Sequence, residues 1–507
     1  MLRHPPSSPT ALGLVLAGWL AGPVVVHGGC APSGDGTDPS RGGTSSEGGG
    51  DGGSGAQPPL CAASHFGAPS EHRLPGNYTA TAFEHLAGAG DCNGGAAKPS
   101  HGLVDLDGDG LVDLVVTDDC LSPDVGRNHW LLHRNDGRRF GPATPWPLPD
   151  YGPRAFEHLD GAGLCGGGDL RPHHGLTDLD GDGLVDLVVT DDCSDPALGR
   201  DHWRLHRNTG EGFTPIASSW TLPDYGPDAF EDLAGAGLCE GGELRPAFAL
   251  ADLDGDGLVE LVVSDNCFDA LIGRHHWLIH DNEGGGFTSN GRAWALPDYG
   301  PDAFEHLASA GSCTGGKLQP AFGLADLDGD GKVDLVVTDD CVDDTVGRSR
   351  WLWHANDGAA FASSGAAWAV PDYGPEALDQ LSSAGACTGG KLEPAYALMD
   401  LTGDGELELV VTDDCVDPSL GRTAWHIHPR SGAAFALSPI PFGLPDYGPN
   451  ALEHVAGAGS CEGGELRPSH GLVDLDGEGH LDLVVTDDCK NEGLGHTHWL
   501  RHDGACP

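Results

Sequence analysis

Ala251-Asp252-Leu253-Asp254-Gly255-Asp256-Gly257-Leu258-Val259-Glu260-Leu261-Val262-Val263 sets a crowded acidic turn directly ahead of a β-branched run. Ala247 to Asp252 alternate into the turn, Leu258 to Ser264 carry residues that fit a pleated sheet, and His276 to His280 alternate around Trp277. A fourth stretch, Phe287 to Leu296, is stopped by Pro297-Asp298-Tyr299-Gly300-Pro301, whose turn chemistry cannot continue a strand. Four short antiparallel strands, A to D, make one blade of a β-propeller. Asp302 to Leu307 is expected as a short helix, weakened by the Gly and Ala that follow it.

The turn recurs. Asp-Leu-Asp-Gly-Asp-Gly begins at Asp105, Asp178, Asp252 and Asp326, with variants at Asp400 and Asp474, so copies start 73 or 74 residues apart. Self-similarity at a fixed period overrides the length of 507 residues as a guide to domain number. Residues 58–507 are expected to form one all-β, six-bladed propeller with no room for a second domain. The last copy stops after strand C, at Trp499-Leu500-Arg501-His502. Phe66 to Pro75, followed by Phe83-Glu84-His85-Leu86, matches the strand D region and connector of inner copies. An N-terminal strand should therefore complete the last blade and close the ring, leaving no open sheet edge.

Fourteen of the 15 cysteines fall into an ordered set. Cys92 and Cys120, Cys165 and Cys193, Cys239 and Cys267, Cys313 and Cys341, Cys387 and Cys415, and Cys461 and Cys489 each lie 28 residues apart. If the acidic A–B loops occupy one face, the first cysteine of each pair, in the D–A connector, and the second, just after strand B, meet on the other. Each bridge contributes about 3 kcal/mol in the chain-entropy picture. Cys61 and Cys506 are left to join the two ends of the ring. Seven bridges imply an oxidising compartment.

Cys30 is the odd cysteine. Arg3 and the broken apolar stretch from Ala11 to Val26 read as an export signal, too short to span a bilayer. His27-Gly28-Gly29-Cys30 resembles a bacterial lipoprotein cleavage box, although His27 stands where that box carries an aliphatic residue. Residues 1–30 are thus expected as an export signal with lipidation at Cys30. Residues 31–57, rich in Gly, Ser and Asp, are expected as a flexible tether. The protein is then exported, either held at the bacterial outer membrane and cell surface by that anchor or secreted. A formal net charge of -51, from 77 acidic and 26 basic residues, excludes a nucleic-acid backbone as partner and favours cations. The 39% hydrophobic content separates the chain from disordered acidic proteins.

Calcium takes six to eight hard oxygens, which loop positions 1, 3, 5 and 9 and the main-chain carbonyl at 7 can supply. The first loop offers Asp105, Asp107, Asp109, Leu111 and Asp113; the second offers Asp178, Asp180, Asp182, Leu184 and Asp186. The third has Asp252, Asp254, Asp256, Leu258 and Glu260, and the fourth Asp326, Asp328, Asp330, Lys332 and Asp334. The fifth, with Asp400, Thr402, Asp404, Glu406 and Glu408, loses a ligand charge and should be weakest. The sixth has Asp474, Asp476, Glu478, His480 and Asp482. Crowded carboxylates repel unless neutralised, so up to six calcium ions are expected. An EF-hand or dockerin reading fails, because position 12 of the first loop is Val116 rather than Glu and Leu114-Val115-Val116-Thr117 favours strand over helix.

Through Asp252-Leu253-Asp254-Gly255-Asp256-Gly257 and the following Leu261-Val262-Val263, the chain resembles FG-GAP and VCBS repeat proteins, including the calcium-bearing blades of integrin α-subunit propellers. The cysteine-bearing connector departs from their general pattern, and blades of this length are long. The resemblance implies structural calcium on one face and contact with a protein or carbohydrate on the other. The expected function is a monomeric, calcium-binding adhesion or ligand-binding module for a surface carbohydrate or protein, with no catalytic residues. The alternatives are a polysaccharide-degrading lyase or hydrolase with a central-channel site, and a purely architectural envelope component.

Other repeated residues read first as structure. Asp118 and Asp119, near Arg127, suit an ion pair or a turn cap better than acid–base catalysis. Trp130 to His133 and its copies suit blade-to-blade packing with a satisfied imidazole. Tyr151, Tyr225, Tyr299, Tyr373 and Tyr447 suit either sugar stacking or packing under their own loops.

Overall fold

The computed structural model describes residues 65–505, apart from 80, 93–96, 167–169, 240–243, 314–317, 388–391 and 462–465. The expected export signal, the tether, Cys30 and the Cys61–Cys506 bridge lie outside the described residues. Blade 2 illustrates the repeat. Its strands run Gly161–Leu164, Arg171–Thr177, Asp186–Asp191, His202–His206 and Ser218–Thr221, adjacent in that order and antiparallel throughout. The last four are strands A to D.

The blade therefore has five strands where four were expected. The added strand lies beside A, and its glycines allow the approach: Gly237, at φ +72°, would place a Cβ 2.8 Å from the Ala247 nitrogen. In blade 3, strand A is Arg245–Ala251, B is Glu260–Asp265 and C is His276–His280. Strand D is only Arg292–Ala295, because Phe287 donates its N–H to Thr221 of the preceding blade instead. The helix expected over Asp302 to Leu307 is absent; that segment is a chain of turns, and Phe304 donates its N–H to Gly273 of the previous blade's B–C loop. Backbone bonding across the seam wins over helical bonding.

Strand B is buried on both faces, which is why it reads as a continuous apolar run. Six apolar clusters fill the six seams. Val115, Trp130 and Trp146 of blade 1 pack with Leu187, Val189 and Phe213 of blade 2. Leu475, Val484 and Trp499 of blade 6 pack with Leu114, Val116 and Phe140 of blade 1, closing the ring. The closure is also covalently continuous, since Ser70–Arg73 is the outer strand of blade 6, with Ser70 opposite Arg501 and His72 opposite Trp499. His65–Phe66 pairs with Gly504–Ala505 and with the outer strand of blade 5, Ile440–Gly443.

All six disulfides spaced by 28 residues form, with Cα atoms 5.0 or 5.1 Å apart. Each joins the turn before strand A to the loop after strand B. The disulfides thus share one face of the ring, and the acidic A–B loops share the other.

Candidate metal loops and the disulfide face

In the first acidic loop, Asp105 accepts the Gly108 and Gly110 N–H groups at 2.8 and 2.9 Å, and Asp109 accepts that of Leu111 at 2.9 Å. These bonds wind the turn around its own carboxylates. Asp113 is fully buried and accepts the Asn135 N–H at 2.8 Å on Oδ1, while Asp107 pairs through Oδ2 with Arg134. That leaves Asp107 Oδ1 and Asp113 Oδ2 buried with no hydrogen-bond partner. The second loop repeats this with Asp180 Oδ1 and Asp186 Oδ2, and the third with Asp254 Oδ1.

A buried, unpaired carboxylate oxygen costs several kcal/mol unless a cation or proton meets it. Burial pushes Asp113 up to about 8, aided by the like charges of Asp107, Asp109 and Asp105 and opposed by the Asn135 N–H. Burial likewise pushes Asp186 up to about 7 and Glu260 to about 8. Hard, crowded and under-satisfied oxygens are the donor set that suits a divalent cation. The Asp118, Cys92 and Cys120 cluster is different, because its two sulfurs are spent on each other.

Sequence reasoning missed the residues that brace these loops. Asn135 donates through Nδ2 to Val112 O of its own blade at 3.0 Å and to Leu475 O of blade 6 at 2.7 Å. Asn208, Asn282 and Asn356 make the same reach to Leu106, Leu179 and Leu253, at 2.7 or 2.8 Å. The acidic loops of blades 6, 1, 2 and 3 are therefore tied to the C–D turn of the next blade, whereas Gly504 holds the equivalent position in blade 6 and has no side chain to reach the loop of blade 5. The signal was present as Asn135-Asp136-Gly137, Asn208-Thr209-Gly210, Asn282-Glu283-Gly284 and Asn356-Asp357-Gly358, a recurring Asn-x-Gly after strand C. Blade 5 replaces the Asn with Arg430, which reaches Leu327 O at 3.3 Å.

The repeated aromatic and imidazole residues satisfy one another. His206 Nδ1 faces the Thr214 carbonyl at 2.7 Å, so it must carry the proton, and Nε2 is left to accept from the Tyr151 hydroxyl at 2.9 Å. All six blades hold this pair: Tyr78–His133, Tyr151–His206, Tyr225–His280, Tyr299–His354, Tyr373–His428 and Tyr447–His502. Burial holds each of these imidazoles below its usual value and pushes Tyr225 up to about 12. Trp130 donates its indole N–H to the Phe156 carbonyl at 2.8 Å, anchoring the next connector. Asp118 and Asp119 cap the turn after strand B, accepting N–H groups of Cys120, Leu121 and Ser122, while Arg127 pairs with Asp150 instead.

On the disulfide face, apolar side chains stand in solvent. Leu121, Phe268, Val342 and Val416, each one residue past a disulfide cysteine, are 74–80% exposed. Leu170, Leu244, Leu318, Leu392 and Leu466 stand exposed just before strand A. Twelve of the fifteen exposed large apolar residues among the described residues lie on this face. Beneath them, a connector Glu pairs with a cation at the start of strand A: Glu84–Lys98, Glu157–Arg171, Glu231–Arg245 and Glu453–Arg467, at 2.7–3.2 Å. Blade 4 carries Gln319 in place of the cation, and blade 5 departs further, with Asp379 and Glu393 at the two positions. Burial and the charges of Asp339, Glu393 and Glu376 push Asp379 up to about 6.

Six five-stranded blades, ring closure by the N-terminal strand and an acidic loop after each strand A define a six-bladed β-propeller. Residues 178–263, from the second acidic loop through strand B of blade 3, match the FG-GAP-like repeat model, and residues 318–335, holding the fourth acidic loop, match an EF hand. No curated protein matches the chain. Among solved structures, the Tc holotoxin pore of Photorhabdus luminescens is similar at TM-score 0.46 and 16% identity; the match covers 88% of this chain and 15% of that one. An Agrocybe aegerita lectin that recognises non-reducing terminal N-acetylglucosamine is similar at TM-score 0.39 and 19% identity, over 82% of this chain and 83% of that one. The α-L-arabinanase of Penicillium chrysogenum with arabinobiose is similar at TM-score 0.33 and 12% identity, over 87% and 98%. At these identities the likeness is one of fold.

Proposed function

We propose that this chain is an exported binding propeller, built around calcium in its acidic loops, that docks a partner protein on its disulfide-tied face. The observation that carries the docking reading is the crowding of exposed apolar residues onto that face. Scattered surface leucines need no explanation, but a recurring set rimmed by charge marks a contact surface. Aliphatic side chains dominate it, and the tyrosines suited to sugar stacking are bound to their histidines. This favours a protein over a carbohydrate. Similar contacts on several blades would raise avidity even where each is weak. The six disulfides fit an oxidising, extracellular setting. Display from a lipid at Cys30 is part of the same proposal.

The calcium part rests on the orphaned oxygens of Asp107, Asp113, Asp180, Asp186 and Asp254. The carboxylates at loop positions 1, 3, 5 and 9 would hold the ion, which would supply the charge that these oxygens lack. The test is a screen of the full chain against surface proteins and glycans, in calcium and in chelator, with Phe268→Asp/Val342→Asp beside it. Protein binding that needs calcium and is lost in the variant supports the reading. No binding above the chelator control, or binding indifferent to the variant, sinks it.

The departure in blade 5 favours a second reading, a polysaccharide-degrading enzyme using Asp379. The upward shift of Asp379 and the nearby charge of Glu393 suit a carboxyl that keeps its proton and is poised to donate it. Turnover of acidic or neutral polysaccharides, abolished in Asp379→Asn, would establish it.

A further inference from the structure

We infer that the six acidic loops are not equivalent: those of blades 1 and 2 are the two tight divalent-cation sites, that of blade 3 is a weaker third, and those of blades 4 to 6 are neutralised by the protein's own side chains. This rests on the calcium reading above and deepens it. Loops 1 and 2 each leave two buried carboxylate oxygens without a partner, at positions 3 and 9. Asp113 and Asp186 are fully buried, so bulk solvent does not reach their unpaired oxygens. In loop 3, Glu260 accepts the Leu253 N–H at 2.8 Å, and only Asp254 Oδ1 remains orphaned.

Loops 4 to 6 contribute no orphaned oxygen among the described residues. In loop 4, Asp334 accepts the Asn356 and Leu327 N–H groups, Lys332 pairs with Asp330, and Arg430 lies against Gly329 from the next blade. In loop 5, position 3 is Thr402, which donates to Glu408 Oε1 at 2.6 Å, while Glu408 Oε2 accepts the Leu401 N–H at 2.8 Å. In loop 6, Arg501 sits 2.8 Å from Asp476 and 3.8 Å from Asp482, whose oxygens also accept the Leu475 and Gly504 N–H groups.

Loops 1 to 3 also have arginines, but those are free to leave. Arg134, Arg207 and Arg292 are 45, 46 and 34% exposed, against 18% for Arg430 and 11% for Arg501. An exposed guanidinium can swing into water when a metal arrives, whereas a buried one occupies the place of the ion. The EF-hand match falls on loop 4 because a local pattern registers its carboxylates and not Arg430, which lies about 100 residues further along the chain.

The test is calcium titration calorimetry with bound-metal analysis on the full chain, stripped with chelator. Two tight ions and a weaker third are expected. Asp113→Asn and Asp186→Asn should each remove one tight ion, while Asp482→Asn should leave the tight count unchanged. Arg501→Gln should add an ion by freeing loop 6. Five or six ions of similar affinity, or loss of a tight ion in Asp482→Asn, overturns the division of the loops while leaving the calcium reading standing. No bound ion at all defeats the calcium reading itself. The wild-type count decides the matter even where a variant does not fold.

Discussion

At the scale of single residues, the Tyr–His pairs carry the clearest consequences. Each imidazole is held neutral by burial and by a fixed tautomer, with Nδ1–H on a carbonyl and Nε2 accepting from tyrosine. A lowered folded-state value means that the contribution to stability is fully present above about 6.5 and is lost as pH falls toward the folded value. Imidazole resonances of His133, His206, His280, His354, His428 and His502 should therefore fail to titrate near 6.5 in an NMR pH series. Six histidines titrating as free imidazoles would refute the pairing. Tyr225→Phe leaves His280 Nε2 buried without its donor and should cost about 1–2 kcal/mol in denaturant unfolding. Partner binding should be unaffected, since the hydroxyl faces inward. The acidic residues were legible from the sequence because calcium chemistry is local to nine residues. Which of their oxygens go unpaired was not, because Arg134, Asn135 and Arg430 arrive from turns more than 20 residues away.

At the scale of elements, strands A to D were readable where apolar residues meet the two faces of a sheet, as in Leu261-Val262-Val263 and around Trp277. The fifth strand was hidden because Gly-Ala-Gly reads as a break. Glycine there serves close backbone approach rather than strand propensity. Gly237→Ala should consequently destabilise the blade by more than 1 kcal/mol, combining a left-handed φ with a clash against the Ala247 backbone. A melting temperature unchanged from wild type would show that the added strand is not held as described. The expected helix failed for a related reason: the connector spends its backbone groups and the Phe156 and Phe304 carbonyls on the neighbouring blade. Sequence windows see one repeat, and these bonds join two.

At the scale of the whole molecule, every seam is apolar and held on the disulfide side by a strand B hydroxyl, and every seam but that between blades 5 and 6 is also stitched at the acidic end among the described residues. Asn208 ties the acidic loop of blade 1 to blade 2, and the Thr117 hydroxyl holds the Glu157 carbonyl at 2.6 Å on the disulfide side. Blade 6 alone depends on the N-terminal strand for its outer edge. Deleting residues through Arg73 should expose the Trp499 strand, lower the melting temperature and promote association, read by light scattering. A monomeric protein of unchanged stability would argue against closure by that strand. Closure was legible because the final repeat lacks a strand that the first residues supply.

The direction of that outer strand has a geometric outcome. Strand D runs from the acidic-loop end of the blade toward the disulfide end, so the chain enters the ring at His65 on the side of the acidic loops. Leu121, Phe268, Val342 and Val416 therefore stand at the end of the ring opposite to that point of entry.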